Sequence, residues 1–212
     1  MTRMSEMSRS ISCGSGILAL GLLALNAESQ EATINGLEYS CTGFSGNARS
    51  NETVCVGFRF SDEMNELSAG RATTSQGDTE GSQWRLTDGV QLSFDTTEIQ
   101  ANEATLTFEA GELVFGELSG DPVVMSDYIE ERETPVRGTA QSVSYDNRNG
   151  TVRLIGEATL VVGENEVMGC DWIYNFVEKN YSGGGSDDCS GVLFRLAPPE
   201  ESSDPQDQDQ SP

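Results

Sequence analysis

Residues 138–162 read GTAQSVSYDNRNGTVRLIGEATLVV, and this stretch decides the fold. Apolar and polar residues alternate on both sides of a turn, with Tyr145 before it and Leu154 and Leu160 after it. Residues 146–150 contain Asp, Asn and Gly, which favour tight turns. A strand brings every second side chain to one face, whereas a helix would scatter these residues. The stretch predicts two paired strands with one apolar and one polar face.

One spacing recurs along the chain: apolar, x, small, x, x, apolar, x, apolar. Its copies, the second matching from the small residue onward, are 99–106, 138–145 and 167–174. In each copy the alternation shifts by one residue just after the small residue, which is Ala101, Ala140 or Gly169. Such a shift would turn all later side chains to the other face unless a bulge or corner absorbs it. The repeat predicts a strand–corner–strand unit that wraps short strands around a common apolar interior. An ordinary β-sandwich with coincidental repeats is the alternative.

The two ends of the chain differ from its middle. Arg3 and Arg9 precede an apolar run at 17–25, which is shorter than the ~20 residues of a membrane span. This pattern predicts a signal peptide cleaved after Ala27, and therefore an exported protein, with a retained anchor as the alternative. The C-terminal residues are rich in Asp, Gln and Pro and predict disorder. The predicted division is a signal peptide at 1–27, a divergent N-terminal part of one β domain at 28–83, its core at 84–196, and a disordered acidic tail at 197–212.

Two local predictions rest on turn-forming residues. The polar stretch 61–81 contains three glycines and predicts a loop or an irregular edge. The dipeptide Asp88–Gly89, between apolar runs of the same parity, predicts a hairpin turn.

Four cysteines follow the predicted signal peptide: Cys41, Cys55, Cys170 and Cys189. An even number in an exported chain predicts two disulfides, for which three connectivities are possible. We favour Cys41–Cys55 and Cys170–Cys189, because each bond closes a short loop. The chain has no histidine and no C-x-x-C pair, so we predict no metal site.

The charge and composition exclude several classes of function. The formal net charge is −23, which argues against nucleic-acid binding and against a basic surface for anionic membranes. Without histidine, Ser–His and Cys–His catalysis have no base, and no nucleotide-binding glycine motif occurs. We therefore predict a non-catalytic protein without a cofactor. A two-carboxylate glycosidase is the enzymatic alternative, because acidic residues are abundant.

One parity of the predicted strands carries large apolar residues and forms the predicted interior. These residues are Trp84, Leu86, Leu92, Phe94, Leu106, Phe108, Phe115, Val143, Tyr145, Leu154, Leu160, Trp172 and Tyr174. The simpler interpretation is a packed core. The alternative is a sheet that does not close completely and leaves an apolar trough for lipid chains. Burying a methylene gains ~0.8 kcal/mol, so an acyl chain of about a dozen carbons would gain roughly 10 kcal/mol.

Five motifs, met in order along the chain, resemble the OstA-like family of periplasmic lipopolysaccharide-transport proteins, which comprises LptA and the N-terminal domain of LptD. The motifs are IQANEATL at 99–106, GDPV at 120–123, GTAQSVSYD at 138–146, VRLIGEA at 152–158 and GCDWIYN at 169–175. The resemblance implies an all-β protein, an open, twisted β-jellyroll of short antiparallel strands with an apolar interior in a single domain.

The same resemblance implies a function. It implies a periplasmic, non-catalytic protein whose interior takes the lipid A acyl chains of lipopolysaccharide, with Leu106, Tyr145 and Trp172 lining it. It also implies partners, either other Lpt-type β-jellyroll proteins or further copies of the chain, stacked through free edge strands. The alternative is an exported β-sandwich, a scaffold or envelope assembly factor that makes only protein contacts.

Overall fold

The computed structural model of the protein contains one continuous sheet of antiparallel strands. The structure describes residues 30–34, 37–75, 82–183 and 191–197. Within these residues the strands are β1 (Gln30–Ile34), β2 (Leu37–Cys41), β3 (Gly43–Asn47), β4 (Glu52–Ser61), β5 (Asn65–Ser75), β6 (Ser82–Phe94), β7 (Thr97–Ala101), β8 (Glu103–Glu109), β9 (Glu112–Ile129), β10 (Thr134–Asp146), β11 (Thr151–Val162), β12 (Asn165–Asn175), β13 (Asn180–Gly183) and β14 (Leu193–Arg195). The predicted all-β fold is confirmed.

Strand order follows chain order, because most strands pair with the next one along the sequence. The path is β1-β2-β4-β5-β6-β7-β9-β10-β11-β12-β13, with β3 on β4, β14 on β12, and β8 between β6 and β9. The ends of this path do not pair with each other among the described residues, so the sheet is open. Its outermost strands are also its shortest, at three to five residues each.

A line of bulges crosses the sheet and divides it into two layers. The register shifts between Ala69 and Arg71 in β5, between residues 140 and 142 in β10, and between residues 155 and 158 in β11. On the same line, β7 ends and β8 begins, and both pair with β6 and β9. Each long strand therefore contributes one half to each layer. We call this line the corner.

Layer I and layer II are defined by these halves. Layer I contains β1, β2, β7, β14 and residues 58–61, 65–69, 90–94, 123–129, 134–140, 158–162 and 165–169. Layer II contains β3, β8, β13 and residues 52–56, 71–75, 82–87, 112–119, 142–146, 151–155 and 171–175. The layers face each other: the ring centroids of Phe60 in layer I and Phe108 in layer II lie 5.1 Å apart.

The corner explains one wrong local prediction. Asp88 and Gly89 do not form a hairpin turn, because β6 continues through them to Phe94. Both residues have positive φ, 65° and 83°, and they bend β6 where it passes from layer II to layer I. The Asp–Gly pair correctly indicated left-handed backbone, but this conformation occurs in β-bulges as well as in tight turns.

The predicted loop at 61–81 is also wrong, because β5 occupies Asn65–Ser75. Its inward positions include Leu67, Ala69, Ala72 and Thr74, of which only one is a large apolar residue. A strand with such small inward residues lacks the hydrophobic alternation that identifies a strand from sequence. The remaining residues of that stretch, 76–81, lie outside the described part of the chain.

The repeated corner unit is confirmed by the burial pattern. Ile99, Ala101, Ala104 and Leu106 are all buried, although the alternation shifts between Ala101 and Ala104. The corner absorbs this shift, so both halves direct their apolar side chains to one continuous core.

The predicted disulfide between Cys41 and Cys55 is present and joins β2 to β4. Cys170 is also disulfide-bonded, and Cys189, its predicted partner, lies outside the described residues. The predicted signal peptide and nearly all of the acidic tail lie outside them too. No helix in the described ranges is long and apolar enough to cross a membrane.

Candidate functional site

Twelve of the thirteen predicted interior residues point inward, and each is at most 4% exposed. They come from both layers: Trp84, Leu86, Leu106, Phe108, Val143, Tyr145, Leu154, Trp172 and Tyr174 from layer II, and Leu92, Phe94 and Leu160 from layer I. The sequence pattern therefore located the interior correctly at these positions.

Phe115 is the exception, since its side chain lies on the outer face and is 36% exposed. The β8–β9 pairing explains the error: Thr107 pairs with Phe115, whereas its neighbour Phe108 pairs with Leu113. The bulge between these pairs makes Leu113 and Gly116 the inward residues. The prediction that Phe115 lines the interior is wrong, because a bulge of one residue reverses the faces of the strand.

The interior is closed to water in this conformation. Because the twelve inward residues have almost no water-accessible surface, the predicted trough is closed above them. Acyl chains could reach these residues only if the layers separated. The contacts that hold the layers together therefore decide whether the interior is accessible.

The layers meet along the side opposite the corner, which we call the mouth. Its residues are Phe60, Asn65, Phe94, Thr96 and Asp127, from layer I and its turns, and Phe108, Tyr145, Tyr174, Phe176 and Lys179, from layer II and the turn after β12. Within the described ranges, no strand of layer I pairs with a strand of layer II across the mouth. In the part of the chain that the structure describes, side chains close it.

Asp127 is the centre of a buried polar cluster at the mouth, and its side chain is 0% exposed. Its carboxylate accepts hydrogen bonds from the Tyr174 hydroxyl at 2.5 Å, the Thr96 hydroxyl at 2.5 Å and the backbone N–H of Tyr128 at 2.7 Å. The ammonium group of Lys179 donates to both carboxylate oxygens, at 3.0 and 2.9 Å. The cluster links layer I to β12 of layer II and to the turn after it.

These contacts set the protonation of the cluster. Burial alone would raise the pKa of Asp127, but the hydrogen bonds from Thr96, Tyr174, Lys179 and the Tyr128 backbone outweigh it, and the pKa is lowered. Burial, and then the hydrogen bond to Asp127, raise the pKa of Tyr174. Asp127 is therefore ionised at neutral pH, while Tyr174 keeps its proton and donates it.

A second polar contact crosses the mouth at Tyr145. Its hydroxyl donates to Oδ1 of Asn65 at 3.1 Å, and the amide of Asn65 donates to the carboxylate of Asp62 at 3.0 Å. The ring of Tyr145 also packs against Phe94 and Phe176, with centroids 4.8 and 5.8 Å apart. Polar and aromatic contacts thus alternate along the mouth.

Neither polar contact is predicted by the sequence patterns. Asp127 alternates with the inward apolar residues Val123, Met125 and Ile129. An acidic residue at an otherwise apolar, inward position was the feature of the sequence that could have indicated a buried polar contact. Lys179 is the only lysine of the chain. A lone buried acid and a lone lysine are natural partners, but nothing in their spacing brings residues 52 positions apart together.

Two further features of the described residues concern metal binding and the outer surface. No group of three or more His, Cys, Asp or Glu residues in the described ranges could hold a metal ion. The groove of about 430 Å³ on the outer face of layer II is lined by polar residues, among them Thr105, Glu117 and Ser144. Arg85 and Glu103 at its border form an ion pair of 3.0 Å.

Fold and interior together define a β-jellyroll protein with an apolar core between two layers. Residues 71–180, more than half of the chain, match the family described as LptA/(LptD N-terminal domain) LPS transport protein. The chain belongs to this family of lipopolysaccharide-transport proteins. The predicted OstA-like membership is therefore confirmed, and the match begins in β5, before the predicted core boundary at residue 84.

A solved structure supports the fold. The chain resembles LptH, described as the LptA homologous periplasmic component of the conserved lipopolysaccharide transport device from Pseudomonas aeruginosa, with a TM-score of 0.55 and 15% identity. The similarity covers 63% of this chain and 95% of LptH. At this identity the likeness concerns the fold alone, and it confirms the β-jellyroll. No curated protein sequence matches the chain.

Proposed function

We propose that the chain is a non-catalytic periplasmic protein that binds lipopolysaccharide by taking its lipid A acyl chains between layers I and II. One observation carries the proposal: the apolar interior is closed at the mouth by side chains, not by paired strands. Side-chain contacts break without unpairing the sheet, so the layers could separate at the mouth and stay joined at the corner.

The free energy of binding would come mainly from the lipid. The inward side chains are already buried, so an acyl chain that enters replaces contacts among them by contacts with itself. Its own methylenes leave water, which is worth about 0.8 kcal/mol each. A dozen methylenes would gain roughly 10 kcal/mol, which opposes the cost of opening the mouth at the Asp127–Lys179 pair.

The negative charge of the chain requires the phosphates of lipid A to remain outside the interior. A net charge of −23 repels them, although salt screens charges over a Debye length of ~8 Å at physiological ionic strength. We therefore expect lipopolysaccharide binding to strengthen when salt or a divalent cation is added. Binding that weakened with salt would indicate a basic site for the phosphates instead.

The free edges of the sheet are the proposed contacts with other Lpt-type β-jellyroll proteins or with further copies of the chain. Unpaired backbone groups of β1 and β13 could pair with a strand of a neighbour. A second candidate function, a scaffold with protein contacts alone, is favoured by the exposed apolar side chains Leu193, Phe194 and Leu196 at the β14 edge. The two candidates differ in what the interior binds.

The test compares two residues of the β8–β9 hairpin in displacement of a fluorescent lipopolysaccharide. Leu106 is fully buried between the layers, whereas Phe115 lies on the outer face. We expect Leu106→Asp to weaken binding at least tenfold and Phe115→Asp to leave it unchanged. If Leu106→Asp does not fold, Leu106→Ala replaces it, with a smaller expected loss.

Two results would contradict the proposal. One is equal affinity of the folded Leu106 and Phe115 variants. The other is the absence of acyl chains in a solvent extract of the purified protein together with no binding of the fluorescent lipopolysaccharide, which would favour the scaffold.

A further inference from the structure

Tyr39 and Trp84 meet across the layers at the end of the interior formed by β2, β4 and β6. Tyr39 belongs to layer I and Trp84 to layer II, and their rings pack edge to face with centroids 5.0 Å apart. Phe58 packs against both, at 5.8 and 5.2 Å. All three side chains are buried, so the polar atoms of the pair face a dry, aromatic surrounding.

Neither polar atom of this pair has a hydrogen-bond partner in the described part of the chain: the Tyr39 hydroxyl and Nε1 of Trp84 are both unpaired and inaccessible. The other two buried tyrosines differ, since Tyr145 donates to Asn65 and Tyr174 to Asp127. A buried donor without an acceptor is unfavourable and rare in folded proteins. Nε1 of Trp172 is also unpaired, but only the Tyr39–Trp84 contact brings two such side chains together.

We propose that Tyr39 and Trp84 form a subsite for the carbonyl oxygen of an ester- or amide-linked acyl chain; this inference rests on the proposed function. An indole N–H can only donate, and a carbonyl oxygen has two lone pairs, so a carbonyl that enters between the two rings has the acceptor capacity for both donors. Phe58 supplies an apolar wall for the adjoining methylenes. The subsite selects acyl lipids over lipids whose chains are attached through ethers, because an ether oxygen is the weaker acceptor.

The experiment uses two lipids that differ only in the linkage. The purified protein is titrated with dimyristoyl phosphatidylglycerol and with its ditetradecyl ether analogue, each displacing a fluorescent fatty acid. We expect the wild type to prefer the ester about tenfold, the ratio that one or two net hydrogen bonds produce. Tyr39→Phe removes one oxygen atom and should reduce the ratio to about threefold or less. Trp84→Phe should reduce it as well.

Tyr145→Phe is the matched control, because it removes a buried hydroxyl that has a partner. It should lower stability to urea, whereas Tyr39→Phe should leave stability unchanged or raise it. The subsite is disproved if the wild type binds both lipids equally, if Tyr39→Phe keeps the ratio, or if it destabilises the protein as Tyr145→Phe does. Failure of the wild type to bind either lipid would also disprove the subsite, whereas the proposed function fails only if the fluorescent lipopolysaccharide is not bound.

Discussion

The ammonium nitrogen of Lys179 lies 2.9 Å from a carboxylate oxygen of Asp127, and this ion pair joins the two layers of the sheet at the mouth. The carboxylate is fully buried, whereas the lysine side chain is 19% exposed. Lysine occurs nowhere else in the chain, so no other ammonium group could replace it. Lys179 is therefore the counter-charge of the fully buried carboxylate at the mouth.

Lys179→Met should destabilise the protein by about 3 kcal/mol, because it leaves a buried carboxylate without its counter-charge. Urea unfolding monitored by circular dichroism measures the change. The control is Arg153→Met, which removes an exposed ion pair with Asp171 between neighbouring strands of layer II. That change should cost less than about 1 kcal/mol. Equal losses would show that the pair at the mouth has no special role.

Acid should weaken the contribution of Asp127. Its pKa is lowered in the folded protein, against a value of about 3.9 in an unfolded chain. The stabilisation is therefore complete above about pH 4 and is lost as the pH falls through the lower folded value. Asp127→Asn removes it at every pH.

The measurement is the difference in unfolding free energy between the wild type and Asp127→Asn, taken at pH 7, 4 and 3. We expect this difference to be constant from pH 7 to about 4 and to shrink below it. Because both proteins carry the same surface carboxylates, the effect of their titration cancels in this difference. A difference that stays constant down to pH 3 would mean that Asp127 has an ordinary pKa.

Gly116→Ala should destabilise the protein by about 1–3 kcal/mol, because the interior has no room for a methyl group there. A Cβ at Gly116 would lie 2.7 Å from Cδ2 of Leu106, which is fully buried, so the Leu106 side chain would have to shift within the core. Gly43→Ala is the control, since its Cβ would lie 3.7 Å from Cβ of Val56 at ordinary contact distance. Thermal unfolding of both variants tests this, and equal midpoints would argue against a filled interior.

Replacing both Cys41 and Cys55 by serine should lower the unfolding free energy by about 2–4 kcal/mol. The bond joins residues 14 positions apart and ties β2, the second strand from this end of the sheet, to β4. Guanidinium unfolding under non-reducing conditions measures the loss without affecting other disulfides. A double variant as stable as the wild type would show that strand pairing alone holds this edge.

The sequence predicted the inward parity wherever large apolar side chains alternate, and the repeated spacing predicted the corner. Leu106, Tyr145 and Trp172 were located in this way, and the corner absorbs the phase shift that the small residues marked. The family resemblance supplied what periodicity lacks, a β-jellyroll with an apolar interior, and the family match confirmed that membership.

The errors have two physical causes. At Phe115, a one-residue bulge in a hairpin changed the face, and no residue type in the sequence marks such a bulge. In β5, small and polar inward residues hid a strand whose place is determined by its two neighbours. The Asp127 cluster depends on contacts between distant parts of the chain, so only the folded sheet brings its members together.

Because every long strand turns at the corner, the two layers are joined along that line by continuous backbone. Neither layer can slide along the other without breaking backbone pairs in all the strands that cross the corner. The layers can instead move apart by a hinge motion about the corner. Under the proposed function, lipids with different numbers of chains would be accommodated by the angle between the layers, while the pairing of the sheet stays the same.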